Sequence, residues 1–319
     1  MSLRLAKNRR TCPIVATRDE LAQLFDTTPH FIADAIANKS LHYGYFEIPK
    51  ANGEMRVIQP PYEDLKFFQH LVLEYLYQRL RIPTYLHGGV PRRSAISHAR
   101  PHVGKYMVAT LDIRRFYPST QHPRILPVLE DAGFVEDAKS DLVELLTLDG
   151  SLPQGAPTSC LLANLAFVPV DHPLRKVCRR HGLIFTRFVD DIAISGGADF
   201  RQLKGTFTEI INSTEYEIAT EKTAFSPQCS RQVVTGLVVN EKLRPTREFI
   251  SELKHDIHLC RREGPGVLAE AEGEEIATVK RRINGRVAHV AQCDKKLGKK
   301  LRRLLYDIPW REEPATAPR

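Results

Sequence analysis

Cysteine is sparse in this chain, and it is scattered. The 319 residues include Cys12, Cys160, Cys178, Cys229, Cys260 and Cys293, with no Cys-x-x-Cys pair among them. That spacing argues against a zinc ribbon or a disulfide framework and suits free or buried thiols in a reducing cytoplasm. Long apolar runs are missing too. The longest, "SCLLANLAFVPV", is interrupted by Asn164 and falls short of the roughly 20 residues that a membrane span needs. The basic opening "MSLRLAKNRRTCP" has no apolar centre, unlike a secretory signal. There is no internal repeat, and only the tail "EEPATAPR" has the composition of a disordered segment.

Acidic residues are nearly absent from one region. Between residues 280 and 303, Asp294 is the only acid against a run of Lys and Arg that includes Lys299, Lys300, Arg302 and Arg303. In "KKLGKKLRRLL", Leu297, Leu301, Leu304 and Leu305 recur at helical spacing, which predicts an amphipathic helix with a basic face. A merely solvated face usually mixes both signs. One sign on one face, in a chain of net charge +8, favours a phosphate backbone as partner.

Apolar residues make up 42% of the chain, enough for a large core or two to three subdomains. Residues 18–38 predict two short helices divided near Pro29, and "YFEIPK" and "MRVIQP" flank "ANGE" as a hairpin. Residues 62–80 predict a helix with Leu65, Phe68, Leu71, Val72, Tyr75 and Leu76 on one face. "KYMVATLDI" reads as a strand ending at Asp112, and "DAKSDLVELLTLDG" as a helix closed by Gly150. Residues 158–182 read as one long helix ending at Gly182. A helix at 200–212, short strands through "YEIAT" and "RQVVTGLVV", and a helical region from 246 onward complete the chain. Strands and helices do not strictly alternate, so the expected class is α+β.

Within "RFVDDIAISG", Asp190 and Asp191 lie between two β-rich runs, at the turn of a predicted hairpin. Aspartate suits turns for reasons of its own, so the pair by itself decides nothing. Asp112, at another strand end, supplies a third carboxylate. Three acids together repel and accept a divalent cation, and Mg²⁺ takes a few carboxylates completed by water and phosphates. Two such ions, about 4 Å apart, serve in-line phosphoryl transfer. Further stretches agree. Arg56 and Lys50 on the two arms of the early hairpin suit a triphosphate, and the turn "LPQGAPTS" opens a helix with its N-terminus free for an incoming nucleotide. Lys222 could protonate a leaving pyrophosphate. Taken singly, each has a plainer reading as a solvated Arg, a helix cap or a surface Lys.

In chain order, "NGEMRVIQPP", "TLDIRRFYPST", "LPQGAPTSCLLANL", "RFVDDIAISG", "EKTAF" and "RQVVTGLVVN" resemble the successive motifs of reverse transcriptases. Residues 20–245 carry the likeness. Within that superfamily the chain looks most like the bacterial retron enzymes. "VTG" (Val234, Thr235, Gly236) matches their characteristic triplet, and "SHARPH" is similar to their "NAxxH", with His98 where Asn is usual. Two departures stand out. "FVDD" replaces "YADD", and "HGGV" at 87–90 departs from the usual pattern of an aromatic after Gly.

The resemblance implies a right-hand polymerase: N-terminal helices and fingers at 1–105, a palm at 106–245 with further fingers elements at 120–155, a helical basic thumb at 246–310, and a tail at 311–319. It implies that Asp112 and Asp190 are the principal ligands of two Mg²⁺ ions (Mn²⁺ as substitute), with Asp191 beside them and the Ile113 carbonyl contributing. Tyr117 matches the aromatic under the incoming sugar, with Phe116 the better core candidate. Gln154 and Gly155 match the nucleotide pocket, Arg56 and Lys50 the triphosphate clamp, and Lys222 the general acid. Val234, Thr235 and Gly236, with Lys299, Lys300, Arg302 and Arg303, would hold RNA.

The implied partners are deoxynucleoside triphosphates, a structured non-coding RNA that is both template and primer, its single-stranded DNA product, and a separate effector protein. The implied setting is a cytoplasmic anti-phage system with no membrane. Three rivals stand beside it. A defence-associated or diversity-generating reverse transcriptase with another RNA, or a non-templated polymerase, would lack a folded RNA gene directly upstream. A catalytically dead RNA-binding scaffold would have little use for the three acids with Arg56 and Lys222. A different two-metal enzyme, a nuclease or cyclase, would have no task for Tyr117 and the Gln154–Gly155 helix opening.

Overall fold

Thr17 caps the first described helix. The computed structural model describes residues 13–49 and 53–310, so Lys50 and the tail at 311–319 lie outside the described residues. The Thr17 hydroxyl accepts from the Glu20 N–H while the Glu20 carboxylate reaches back, a reciprocal box that starts α1 (Arg18–Leu24). Thr28 caps α2 (Pro29–Ala37), and Pro29 occupies the first turn, where its missing N–H costs nothing. The hairpin β1 (Phe46–Pro49) and β2 (Met55–Ile58) follows, then α3 (Glu63–Arg79), which buries Leu65, Phe68, Val72 and Leu76 along one stripe. α4 (Ala95–Ala99) leads to the central strand β3 (Met107–Arg114), which runs two residues beyond Asp112.

After α5 (Phe116–Ser119), α6 (His122–Ala132) and α7 (Glu136–Leu146), the expected single long helix is divided into α8 (Ser159–Ala166) and α9 (Val168–Arg180). They meet at Phe167, because Pro169 has no N–H to continue the ladder and fits only a first turn. Likewise α7 stops at Leu146, and Gly150 (φ 74°) turns the loop that follows instead of closing the helix.

The hairpin β4 (Ile184–Phe188) and β5 (Asp191–Gly196) precedes α10 (Lys204–Asn212), β6 (Glu217–Ile218) and β7 (Ala224–Pro227). The main sheet is antiparallel. β4 pairs with β5, β5 with β3, and β6 and β7 pair with successive parts of the other edge of β3. "RQVVTGLVV" is a hairpin, β8 (Val233–Val234) and β9 (Leu237–Val238), with Thr235 and Gly236 (φ 45° and 76°) as its turn. β10 (Arg244–Pro245) adds to it. α11 (Arg247–Glu263), α12 (Gly266–Glu272), α13 (Ile276–Cys293) and α14 (Lys295–Leu305) complete the chain. Among the described residues no helix is long and apolar enough to cross a membrane.

Three apolar clusters organise these elements. The largest joins the N-terminal helices to the sheet and α6–α9, from Val15 to Ile218. A second lies within α11–α14, around Leu253, Ile283 and Leu301. The third is small. It pins α4 (Ile96, Ala99) and the β8–β9 hairpin (Val234, Leu237) to Val108 of β3 and Ala193 of β5.

Candidate active site

The sheet register brings the acids together. Asp112 on β3 stands directly opposite Asp191 on β5, and opposed residues of an antiparallel pair share a face. Phe188 pairs with Asp191, so Val189 and Asp190 are the turn between β4 and β5. The Ile113 N–H donates to the Asp190 carbonyl at 3.1 Å, which ties that turn to β3, while Ile113 itself pairs with Ile218 of β6. Burial first, and the charge of Asp112 next, hold the Asp190 carboxyl above its ordinary range. Burial pushes Asp191 up to about 6, helped by the charges of Asp190 and Asp112 and opposed by a hydrogen bond from Thr235. Lys222, at the end of the turn Thr220–Lys222, places Nζ 3.1 and 3.3 Å from the two Asp112 carboxylate oxygens.

The β1–β2 hairpin lies close to this centre. The charge of Arg56, exposed on β2, acts on both Asp190 and Tyr117. The Gln59 N–H donates to the Gln154 carbonyl at 2.7 Å. Gly155 (φ 115°) lies against the same segment. A Cβ there would stand 3.0 Å from Ile58 and 3.4 Å from the Pro60 nitrogen, so glycine is what lets the hairpin dock. Tyr117 is half-buried beside Cys160 and Asp190, and burial is the main cause of its raised phenol pKa. Phe116 is buried in the core, but both residues sit on the helix α5 and not on an extended segment.

Among the described residues, no three His, Cys, Asp or Glu side chains form a ready-made metal cage. The donor set still fits a divalent cation. The charge of Asp112 acts on Asp190, and those of Asp112 and Asp190 on Asp191, and Mg²⁺ is usually held by one or two carboxylates with water and substrate phosphates.

Residues 48–239, more than half of the chain, match the family model of reverse transcriptase (RNA-dependent DNA polymerase). The retron Ec86 reverse transcriptase of Escherichia coli is 30% identical over 228 residues, covering 70% of this chain and 71% of that one. The chain belongs to the retron reverse transcriptases. The retron Mx65 enzyme of Myxococcus xanthus is 27% identical over 91% of this chain and 71% of its own. The retron Se72 enzyme of Salmonella heidelberg is 27% identical over 92% and 80%. Among solved structures, telomerase from Candida albicans overlaps at a TM-score of 0.44 and 13% identity, covering 83% of this chain and 58% of that one, a loose likeness. This reverse transcriptase is thus an RNA-directed DNA polymerase of the α+β class, with RNA as template and DNA as product.

Two parts of the expected RNA surface are placed otherwise. Val234 is fully buried in the third cluster and has no surface to offer an RNA. The Thr235 hydroxyl faces inward, 2.7 Å from Asp191 Oδ2, and only Gly236 of the triplet is exposed. Lys299, Lys300, Arg302 and Arg303 are exposed on α14, and none of them pairs with an acid among the described residues. By contrast Arg282 and Arg286 of the same basic stretch are engaged, with Glu272 and with Asp256 and Glu252.

The motif reading misses a buried network beneath the acids. Arg187, fully buried, donates to both Asp171 oxygens (2.9 and 2.7 Å), to the Asn164 side chain and carbonyl (2.9 and 2.8 Å), and to the Val189 carbonyl (2.8 Å). Val189 has φ 59°, rare for a β-branched residue, and this clamp holds it there. The "HGGV" departure now has a cause. Gly89, where the aromatic is usual, has φ 62°, and a Cβ there would stand 2.1 Å from Cys160 Sγ. A Cβ on Gly88 before it would stand 2.5 Å from Val189 Cγ2. The available signal was a lone charge in each of two apolar segments, Arg187 in "LIFTRFV" and Asp171 in "AFVPVDHPL".

Proposed function

We propose that this enzyme extends a structured non-coding RNA, serving as both primer and template, into RNA-linked single-stranded DNA from deoxynucleoside triphosphates. The observation that carries the proposal is the opposition of Asp112 and Asp191, with Asp190 at the adjoining turn and Arg56 close enough for its charge to act on Asp190. Asp112 and Asp190, with the Ile113 carbonyl, would hold divalent cations (two Mg²⁺ or Mn²⁺), and Asp191 would stand beside them. When bound, the cations activate the attacking hydroxyl and offset the charge that develops on the phosphates.

The protein's own groups do the rest. Arg56 grips the triphosphate, and Lys50, outside the described residues, is proposed as its companion. Tyr117 lies under the sugar and crowds a 2′-hydroxyl, while Gln154 and Gly155 line the pocket for the base. As the primer oxygen bonds to the α-phosphorus and the bond to the β-phosphate breaks, Lys222 Nζ gives a proton to the departing pyrophosphate. Family membership supports a priming 2′-hydroxyl on the RNA and a cytoplasmic role in phage defence beside a separate effector.

Purified from cells with its nucleic acid, the protein should carry one folded RNA joined to DNA, identified by sequencing. Asp190→Asn should still bind that RNA but make DNA about a thousandfold more slowly or not at all. DNA synthesis by Asp190→Asn at the wild-type rate would overturn the reading.

A further inference from the structure

By sequence, the VTG triplet belongs with RNA recognition, yet its hydroxyl is spent inside the protein. Thr235 Oγ1 donates to Asp191 Oδ2 at 2.7 Å, and His98 Nδ1 lies 2.8 Å from Thr235 Oγ1. A threonine hydroxyl has one hydrogen to give. With it given to Asp191, the second contact requires His98 to donate from Nδ1. His98 Nε2 is then a bare acceptor, and it is the ring nitrogen that is buried with no protein partner. An unmet acceptor is tolerated in the interior better than an unmet N–H, so this tautomer is the one that the site accommodates.

The backbone points the same way. Thr235 has φ 45°, the left-handed region that a β-branched residue rarely enters, at a turn where Asn, Asp or Gly would be relaxed. A strained residue persists where its side chain is needed. The turn is also immobilised, because Val234 and Leu237 are packed against Ile96, Ala99, Val108 and Ala193. α4, which carries His98, belongs to the same cluster.

We propose that Thr235 is a positioning residue for Asp191, itself oriented by His98, so that the VTG turn and the segment carrying His98 serve nucleotide addition and not the choice of RNA. This rests on the reading of the three acids given above. An asparagine amide N–H at position 98 can make the same donation to the hydroxyl.

The test uses the full chain with its RNA and measures single-nucleotide addition, KM for the deoxynucleotide and RNA affinity separately. Thr235→Val keeps the shape and loses the hydroxyl. It should lower the maximal rate about ten- to a hundredfold, with KM and RNA affinity nearly unchanged, and Thr235→Ser should recover most of the rate. His98→Leu should behave like Thr235→Val and add little to it in the double variant, because the two residues act in one chain of hydrogen bonds. His98→Asn should restore the rate. If Thr235→Val fails to fold, the Leu and Asn variants at His98 make the same comparison.

Loss of RNA affinity at an unchanged rate would overturn the proposal in favour of RNA selection, and so would a full rate in both Thr235→Val and His98→Leu. Asp190→Asn separates the two levels. If it is inactive while Thr235→Val runs at full rate, only the positioning role fails. If it is active, the reading of the acids fails as well.

Discussion

Lys222 Nζ stands 3.1 Å from one carboxylate oxygen of Asp112 and 3.3 Å from the other. The Lys222 side chain is 60% exposed, and a pair so open to water contributes only about 0–1 kcal/mol to folding. Its placement therefore matters to chemistry more than to stability. Lys222→Ala and Lys222→Met should unfold at nearly the wild-type temperature. Both should slow nucleotide addition about a hundredfold, the usual scale for a lost proton donor. Equal single-turnover rates would leave Lys222 as a surface counter-charge.

Tyr117 is half-buried against Cys160 and close enough to Asp190 to feel its charge. A side chain there limits the room above the acids. Tyr117→Val should therefore incorporate ribonucleotides with discrimination reduced about tenfold or more, while deoxynucleotide addition continues. The check is a competition between the two triphosphates on the same primer. Unchanged preference would make Tyr117 a core residue and place the gate elsewhere.

Much of this site was legible because its signals are local. Asp190 and Asp191 sit between β-rich runs, and Asp112 sits near the end of an alternating strand, so three acids at strand ends can be read without coordinates. Proline and glycine punctuation gave α1, α2 and the first hairpin. What was not legible depends on residues distant in sequence. The clamp of Arg187 on Asp171, Asn164 and Val189 is set by where α8 and α9 meet β4. The contact of Gly88 with Val189 and the chain His98–Thr235–Asp191 join segments that no periodicity connects. The break at Phe167 was hidden because apolar spacing continues through it, although Pro169 marked it. "RQVVTGLVV" reads as β from end to end, and only the positive φ of Thr235 and Gly236 folds it into a hairpin.

His102 predicts an acid-sensitive fold. Its two ring nitrogens each lie 2.7 Å from a hydroxyl, Ser195 on β5 and Thr186 on β4, and the residue is fully buried. Burial, with smaller contributions from the charges of His87 and Lys105, lowers its pKa to about 3. The unfolded chain, at about 6.5, takes up the proton first. Stability is thus intact above about pH 6.5 and falls as pH drops from there towards 3, by up to about 1.4 kcal/mol per pH unit for this one group. His98, lowered to about 3, and His87, lowered to about 4, act in the same direction. Urea unfolding followed from about pH 7 to 5 should show this slope, reduced by about one proton in His102→Gln. An identical slope in wild type and variant would remove His102 as a cause.

The exposed cations of α14 predict how RNA is held. Leu301 and Leu305 anchor the helix in the second cluster, so its outer face can change without unfolding it. Lys299, Lys300, Arg302 and Arg303 lie on that face free of acid partners among the described residues. Each phosphate contact releases counterions and contributes about 0.7–0.9 to the slope of log affinity against log salt. Replacing all four with Gln should weaken binding to every RNA and flatten that slope by as much as about 3. Arg286 supplies the control. Its guanidinium is committed to Asp256 and Glu252, so Arg286→Gln should leave the slope unchanged while loosening α11 against α13. A slope that survives the fourfold change would mean that α14 faces solvent and that the RNA is held by other cations.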